Sequence, residues 1–213
     1  MKQTALSHRL RRWELALLLG TALAALLGVW LDGGQSALAD RVIRLHVLAN
    51  SDSQADQVLK LEVRDRVLAA AEACLPPDAT REETEAILQT HLEELAAAGA
   101  HAVAAAGYDY PVTAQLVEDA WFPTKQYADF ALPAGQYTAL RVVIGAGAGQ
   151  NWWCVLFPPL CLGSVTESAA QTALSAGLSE DQVALITGED GGYVIKFRAM
   201  ELWDAVKQRL SGG

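Results

Sequence analysis

The hydrophobic period of this chain changes at Gly107, and this change limits the possible folds more than any other feature of the sequence. Between Ser53 and Ala106 the apolar residues recur at every third or fourth position, which is the spacing of amphipathic helices. In Val112–Val117 they alternate with polar residues, which is the spacing of a half-buried strand. Helices grouped ahead of a run of strands indicate an α+β domain and argue against a doubly wound α/β fold.

Turn residues divide these patterned stretches into elements. The predicted strands are Val42–Ala49, Val112–Val117, Gln136–Ile144, Asn151–Phe157 and Tyr193–Phe197. The predicted helices are Ser53–Cys74, Thr80–Ala106, Glu167–Ala176 and a closing helix with Trp203, Val206 and Leu210 on its inner side. We therefore expect one α+β domain in which about three helices pack on a mostly antiparallel sheet.

The first strand is expected to have one apolar and one polar face. The polar face carries Arg44 and His46, which alternate with Ile43, Leu45 and Val47. Because His46 shares this face with Arg44 and precedes a turn, we expect it to form a structural hydrogen bond.

Two further patterns mark helix starts and a strand connection. Ser53 stands three residues before Asp56, and Thr80 three residues before Glu83, which is the spacing of capping boxes. The order strand, glycine-rich segment 145–150, strand predicts an antiparallel pair joined by a mobile hairpin loop.

The N-terminus has the layout of an export segment. Four basic residues precede an uncharged run, Leu15–Leu31, which would span about 26 Å as a helix, against ~30 Å for the hydrocarbon core of a bilayer. The triplet Ala37–Ala39 fits the A-x-A pattern of a signal peptidase site. We expect residues 1–39 to be a signal peptide cleaved after Ala39 or an uncleaved membrane anchor. Residues 40–213 would then form the folded domain on the outer side of the membrane.

The remainder of the chain is strongly acidic. Residues 1–39 hold four basic and two acidic residues of the 16 and 25 in the whole chain, which leaves a net charge of −11 for residues 40–213. Such a surface repels the phosphates of nucleic acids and the head groups of anionic lipids. We therefore expect no nucleic-acid partner, and membrane contact only through the N-terminal segment.

The three cysteines lie in the part that we expect to be exported. Cys154 and Cys161 flank Pro158 and Pro159, where a chain reversal can bring them together, and an oxidising compartment permits a bridge. A Cys154–Cys161 disulfide and a pair of free buried thiols both remain open at this stage. Cys74 closes a helical pattern and is expected to pack in the core.

The sequence contains no pattern of a catalytic, metal or cofactor site. Gly145, Gly147 and Gly149 lead into a strand and do not open a helix, so they lack the context of a phosphate-binding loop. The histidines lack the H-E-x-x-H arrangement of a zinc site, and no G-x-S-x-G or S-x-x-K motif occurs. We expect no catalytic residues, no metal and no cofactor.

Large aromatic residues instead cluster among turns, in Trp121–Pro123, Tyr127, Asn151–Trp153 and Phe157–Pro159. In a strand, Trp152 and Trp153 point to opposite faces, so one can fill the core while a helix, a loop or a partner covers the other. Aromatic anchors supply a large share of the energy of protein interfaces. Coverage within the domain and coverage by a partner both remain open.

Five stretches of the chain are distinctive. They are LHVLANSDS (Leu45–Ser53), QADQVLKLEVRDRVL (Gln54–Leu68), YDYPV (Tyr108–Val112), FPTKQYADFALPAGQYTALRVVIG (Phe122–Gly145) and NWWCVLFPPLC (Asn151–Cys161). Together and in this order they resemble the stage II sporulation protein R family of endospore-forming bacteria, in which an export segment also precedes the domain. The chain departs from the family pattern at Ala128, where we expect a glycine, and in a glycine loop that carries Ala146, Ala148 and Gln150 in place of charged residues.

The resemblance implies a signal and not a catalyst. Such a protein is made in the forespore and exported into the space between forespore and mother cell, where it activates a membrane-embedded aspartic protease. The protease then cleaves the precursor of a mother-cell sigma factor. The contact residues that we expect are Asn50, Asp52, Phe122, Tyr127, Asn151, Trp152 and Trp153. The alternative is an exported hydrolase that acts on the cell wall or on peptides and depends on Cys154 or His46.

Overall fold

Strand β1 (Ile43–Leu48) lies in the interior of a four-stranded sheet. The structure is a computed structural model and describes residues 13–23, 37–127, 130–160 and 169–187. The remaining strands are β2 (Val112–Phe122), β3 (Lys125–Gln126), β4 (Ala131–Leu132), β5 (Gly135–Ile144) and β6 (Asn151–Phe157). The strand order of the four-stranded sheet is β2-β5-β1-β6, and strands β3 and β4 form a separate two-stranded sheet. β1 runs parallel to β5, whereas the pairs β1–β6 and β2–β5 are antiparallel.

The α+β class is confirmed, but the main sheet is mixed, where a mostly antiparallel sheet was predicted. The predicted pairing of Gln136–Ile144 with Asn151–Phe157 is wrong, because β1 lies between these strands and pairs with both. Every residue of β1 except His46 is buried. A strand that is buried on both faces belongs in the interior of a sheet. The charge of Arg44 concealed this property in the sequence.

Five helices follow β1 in the described residues, and the first of them begins and ends close to its predicted positions. They are α1 (Gln54–Cys74), α2 (Arg81–Thr90), α3 (Leu92–Ala105), α4 (Ala169–Ser175) and α5 (Glu180–Thr187). Both predicted caps are present, since the hydroxyl of Ser53 accepts from the N–H of Asp56 at 3.1 Å, and Thr80 and Glu83 bond reciprocally. Helix α5 was not predicted from the sequence.

The single helix predicted for Thr80–Ala106 is wrong, because the structure has a break at His91. The backbone N–H of His91 donates to the carbonyl of Ile87 at 3.1 Å, and its ring Nδ1 lies 2.8 Å from the same oxygen. The hydroxyl of Thr90 also donates to this oxygen, at 2.8 Å. Side chains that bond to a backbone carbonyl compete with helix continuation, so α2 ends here and α3 begins at Leu92.

The main sheet is covered on both faces. The first face packs against α1, α2 and α3, and this core contains the residues Ile43, Leu45, Val47, Leu59, Val63, Val67, Leu88, Leu95, Val103, Leu140, Val142 and Ile144. The second face packs against residues 37–42, α4 and α5, and this core contains Leu38, Val42, Phe122, Tyr137, Ala139, Val155, Ala173, Val183 and Ile186. The apolar face predicted for β1 is therefore confirmed, while the predicted polar face is itself partly covered and buries Arg44 completely.

The second core includes residues that the sequence assigned to the export segment. Leu38 has no exposed surface, and Ala39 is only 7% exposed. The carbonyl of Ala37 accepts a hydrogen bond at 3.1 Å from Nε2 of Gln182, which belongs to α5. Leu38 and Ala39 are thus part of the second core, and cleavage after Ala39 would remove both from it.

Parts of the predicted outline lie outside the described residues. Residues 13–23 are helical and exposed, but residues 24–36 of the predicted export segment are not described. The predicted strand Tyr193–Phe197 and the closing helix also lie outside the described ranges. Within those ranges, no helix is both long enough and apolar enough to cross a membrane.

We expect Leu38→Ala to lower the free energy of unfolding by about 2–5 kcal/mol, because it removes a fully buried side chain and leaves a cavity. Leu174→Ala on α4 is the matched control, since Leu174 is 45% exposed, and it should change this free energy by less than about 0.5 kcal/mol. Chemical denaturation measures both variants. Equal stability of the two variants would show that Leu38 is not part of the core.

Candidate partner-binding surface

A network of side-chain hydrogen bonds holds the carboxyl end of β1. Oδ1 of Asn50 accepts from the backbone N–H of Ala146 at 3.0 Å. Nδ2 of Asn50 donates to Oδ2 of Asp56 at 2.9 Å, and the hydroxyl of Ser51 donates to the same oxygen at 2.5 Å. Asn50 therefore ties the start of α1 to residues 145–150, which we call the glycine loop.

Asp56 is the buried acid of this network, with 4% of its surface exposed. The hydrogen bond from Ser51, followed by that from Asn50, holds the pKa of Asp56 below its ordinary value, because both bonds favour the ionised carboxylate. Burial lowers the pKa of Lys60, and the negative charge of the exposed Asp52 opposes this shift only in part. The ammonium of Lys60 donates to the carbonyl of Gln150 at 3.0 Å and so joins α1 to the glycine loop.

The glycine loop is not the mobile hairpin loop that was predicted. The N–H of Gly149 donates to the carbonyl of Ala49 at 2.9 Å, and the N–H of Ala148 donates to the carbonyl of Asn50 at 3.2 Å. This close approach requires glycine, because a Cβ atom at position 149 would collide with the carbonyl oxygen of Ser51. The loop crosses the end of β1 and is bonded to it.

A row of four side chains crosses the sheet next to this loop. Gln115 of β2 is in register with Arg141 of β5, which is in register with His46 of β1, which in turn is opposite Trp153 of β6. Residues opposite one another on adjacent strands point to the same face, so these four side chains line one strip of the second face. We call this strip the cross-strand row. Gln115 is exposed, and the other three residues are partly buried.

His46 is in the centre of the cross-strand row. Its Nε2 lies 2.7 Å from Oδ1 of Asn151, and its ring centroid lies 6.1 Å from that of Trp153. Burial lowers the pKa of His46, the hydrogen bond with Asn151 raises it, and the positive charges of Arg141 and Arg44 lower it further. The pKa is lowered overall, so the surroundings of His46 favour the neutral imidazole.

Arg44 lies beside the cross-strand row as a fully buried cation. Its guanidinium carbon is 4.1 Å from the ring centroid of Phe122 and 5.0 Å from that of Tyr137. Its Nη2 donates to the hydroxyl of Tyr127 at 3.0 Å, and this hydroxyl donates to the carbonyl of Trp153 at 3.2 Å. In the described part of the chain, Nε and Nη1 of Arg44 have no hydrogen-bond partner.

Two of the predicted contact residues support the surface from within. Phe122 has no exposed area, because it packs against Arg44, His46 and Tyr137, and its contact with a partner stays a prediction. Tyr127 is partly buried, and its hydroxyl is engaged as described. Burial raises the pKa of Tyr127.

Trp152 and Trp153 point to opposite faces, as the strand pattern predicted. Trp152 packs against the first core, and the guanidinium carbon of Arg64 lies 4.5 Å from its ring centroid. Trp153 packs against the second core, and the ammonium of Lys125 lies 5.8 Å from its ring centroid. Both tryptophans are thus partly covered within the domain and partly exposed, while the neighbouring Asn151 is exposed.

The cysteines do not form a reactive site in the described structure. Cys154 is buried and disulfide-bonded, but Cys161 lies outside the described residues, so the Cys154–Cys161 pairing stays a prediction. Cys74 is a free, partly buried thiol whose Sγ donates to the carbonyl of Ala71 at 3.2 Å. Among the described residues, no group of three or more His, Cys, Asp or Glu side chains could hold a metal ion.

Arg44 and Arg141 were not predicted as site residues from the sequence. Each is a lone charge within an otherwise apolar strand, which is a signal that the sequence does contain. That signal identifies a common site only when β1 and β5 are known to be neighbours, and the pairing prediction for β5 was wrong.

Comparison with known proteins identifies the family. A sequence model of the family described as stage II sporulation protein R matches residues 39–167, which is more than half of the chain. The chain belongs to the stage II sporulation protein R family. Stage II sporulation protein R of Bacillus subtilis (strain 168) is 38% identical over 124 residues, which are 58% of this chain and 55% of that protein. The matched part thus spans just over half the length of this relative. No solved structure matches the chain.

The family range contains the whole candidate surface. Residues 39–167 include the cross-strand row, the glycine loop and every contact residue predicted from the sequence. The resemblance stated from the five sequence stretches is therefore confirmed at the level of the family.

We expect Arg141→Gln to raise the pKa of His46, because it removes a positive charge that disfavours the imidazolium. Arg66→Gln is the matched control, since Arg66 is exposed on α1, and it should leave this pKa unchanged. Titration of the His46 ring by NMR measures both. An equal effect of the two variants would contradict the assigned influence of Arg141.

The lowered pKa of His46 also predicts how the free energy of unfolding changes with pH. The unfolded chain, with a histidine pKa near 6.5, takes up the proton at a higher pH than the folded protein does. The contribution of His46 to the free energy of unfolding should therefore decrease as the pH falls below about 6.5, until the folded protein is protonated as well. Arg141→Gln should weaken this dependence.

Proposed function

We propose that this protein is an exported signalling protein of endospore formation. It enters the space between forespore and mother cell, with its N-terminal segment as a signal peptide or membrane anchor. There it binds a membrane-embedded aspartic protease of the mother cell, and the activated protease cleaves the precursor of a sigma factor. The observation that carries this proposal is membership of the stage II sporulation protein R family.

The arrangement at the carboxyl end of β1 supports a binding role. The glycine loop is fixed by backbone hydrogen bonds and by Asn50, so little conformational freedom would be lost when a partner binds. Trp153 is a partly exposed aromatic side chain beside this loop, and the exposed Asn151 adds polar groups at its edge. An ordered aromatic anchor with polar neighbours is typical of protein interfaces.

The alternative of an exported hydrolase is not supported by the two residues on which it depended. Cys154 is disulfide-bonded and packs in the first core, whereas His46 lies on the opposite face of the sheet. Their side chains are thus separated by the sheet and cannot act together as nucleophile and base. We therefore propose that the protein acts by binding and not by catalysis.

Activation by binding has a simple thermodynamic requirement. The protease must exchange between an inactive and an active state, and this protein must bind the active state more tightly. A preference of about 5.5 kcal/mol is needed to change the ratio of active to inactive protease from 1:99 to 99:1. An ordered surface lowers the entropy cost of binding and so raises the affinity, whereas the preference itself has to come from contacts that differ between the two states.

We expect export to be required for cleavage of the sigma-factor precursor. In vegetative cells that carry the mother-cell protease and the precursor, the full chain should cause cleavage, as measured by immunoblotting of the precursor. A variant with Leu18→Arg and Leu19→Arg places two charges in the apolar run, so it should remain in the cytoplasm and cause no cleavage. Both forms retain Leu38 and the core around it.

The control replaces residues 1–36 of the export-deficient variant with an unrelated signal peptide, which should restore cleavage. Cleavage by the cytoplasmic form would contradict a trigger that acts from outside the membrane. An exported and folded protein that causes no cleavage would contradict activation of the protease itself.

A further inference from the structure

The cross-strand row carries positive charge that no acidic residue in the described part of the chain neutralises. Arg141 and Arg44 lie on the same face of the adjacent strands β5 and β1, two positions apart, with their Cα atoms about 8 Å apart from ordinary strand spacings. Within the described ranges neither arginine forms an ion pair, and the ion pairs found there involve Arg64 and Arg81. The charges of Arg141 and Arg44 both act on His46 between them.

Both guanidinium groups contain buried nitrogen atoms without a hydrogen-bond partner. Among the described residues, these atoms are Nε and Nη1 of Arg44 and Nε of Arg141. A buried charge without a counterion is strongly unfavourable. The chain has a net charge of −9 and thus many carboxylates, but none of those in the described residues pairs with Arg44 or Arg141. A carboxylate of another molecule, bound at the exposed part of Arg141, would lower the electrostatic cost of both charges without contacting the buried nitrogen atoms.

We propose that the exposed edge of the cross-strand row binds a carboxylate of a peptide segment that belongs to the protein partner. Arginine presents parallel N–H groups that match the two oxygens of a carboxylate, and Arg141 is the partly exposed arginine of the row. Asn151 uses Oδ1 toward His46, which leaves its Nδ2 as a second donor at the edge of the site. Arg44 is fully buried and does not contact the ligand, but its positive charge adds to the electrostatic attraction of the site for a carboxylate.

A peptide matches this site better than a lipid surface or a free phosphate does. Anionic membranes attract clusters of several exposed lysines and arginines, whereas this site has one accessible arginine, with Lys125 beside Trp153, on a strongly acidic domain. Trp153 borders His46 and is partly exposed, so it offers an apolar contact that the chain of a peptide can use.

This inference rests on the proposed function only in naming the partner as a protein. Peptide binding is measured on the purified protein, whereas the proposed function is tested by precursor cleavage in cells. A failure of one is therefore distinguishable from a failure of the other.

The test is an NMR titration of the purified full chain in mild detergent with the capped peptide acetyl-Glu-Glu-Glu-amide. We expect saturable shifts of the His46 ring and of the Asn151 side-chain amide, and no such shifts with acetyl-Gln-Gln-Gln-amide. The glutamine peptide with a free C-terminal carboxylate separates the two sources of the carboxylate. Saturable shifts with either carboxylate support the proposal.

Two variants make the test specific. Arg141→Gln should weaken binding of the glutamate peptide about tenfold, whereas the matched Arg66→Gln on α1 should change it by less than about twofold. Asn151→Asp changes an exposed residue, places a carboxylate in the site and should abolish peptide binding even if Arg141→Gln does not fold.

Equal affinities of Arg141→Gln and Arg66→Gln would overturn the proposal. Inorganic phosphate or phosphatidylglycerol vesicles that shift the same resonances, when the glutamate peptide does not, would overturn it as well.

Discussion

The burial of β1 on both faces is the constraint on which the other features of this structure depend. A strand with two buried faces must lie inside a sheet, and β1 accordingly separates β5 from β6. Because β5 and β6 are not neighbours, the glycine loop between them has to cross the carboxyl end of β1. There it forms backbone hydrogen bonds with Ala49 and Asn50, and the turn that follows begins α1. One central strand thus determines the order of the sheet, the path of the loop and the position of the candidate surface.

Much of the fold could be predicted from local patterns, because helix caps and hydrophobic periods depend on residues close together in the chain. The caps at Ser53 and Thr80 and the apolar stripe of α1 are of this kind. The order of the strands depends on which faces are covered, and that property is spread over the whole chain. Arg44 made one face of β1 look solvated, although Phe122, Tyr127 and Tyr137 surround its guanidinium. The helix breaks at His91 because the His91 backbone N–H, the His91 ring and the Thr90 hydroxyl all bond to the carbonyl of Ile87. The hydrophobic periodicity of the sequence does not reveal these bonds.

The candidate surface was predictable in part for the same reason. Asn50, Asn151 and Trp153 were selected from turn and aromatic patterns together with the family resemblance, and the structure places them around the carboxyl end of β1. Phe122 was selected by the same resemblance but is buried, because a family motif marks packing residues as well as contact residues. Arg141 was not selected, since its significance arises from a parallel partner about 100 residues earlier in the chain. The burial of Leu38 was missed in a similar way, as α5 was not predicted.

We propose that this protein acts by binding its partner through the surface at the carboxyl end of β1. The most direct measurement is the affinity of the purified full chain for the mother-cell protease in lipid nanodiscs. Trp153→Ala should weaken binding at least about tenfold, because it removes the aromatic anchor of the cross-strand row. Trp121→Ala is the matched control, since Trp121 is 55% exposed and points away from the face that Phe122 occupies, and it should change the affinity by less than about twofold. Equal affinities of the two folded variants would contradict the claim.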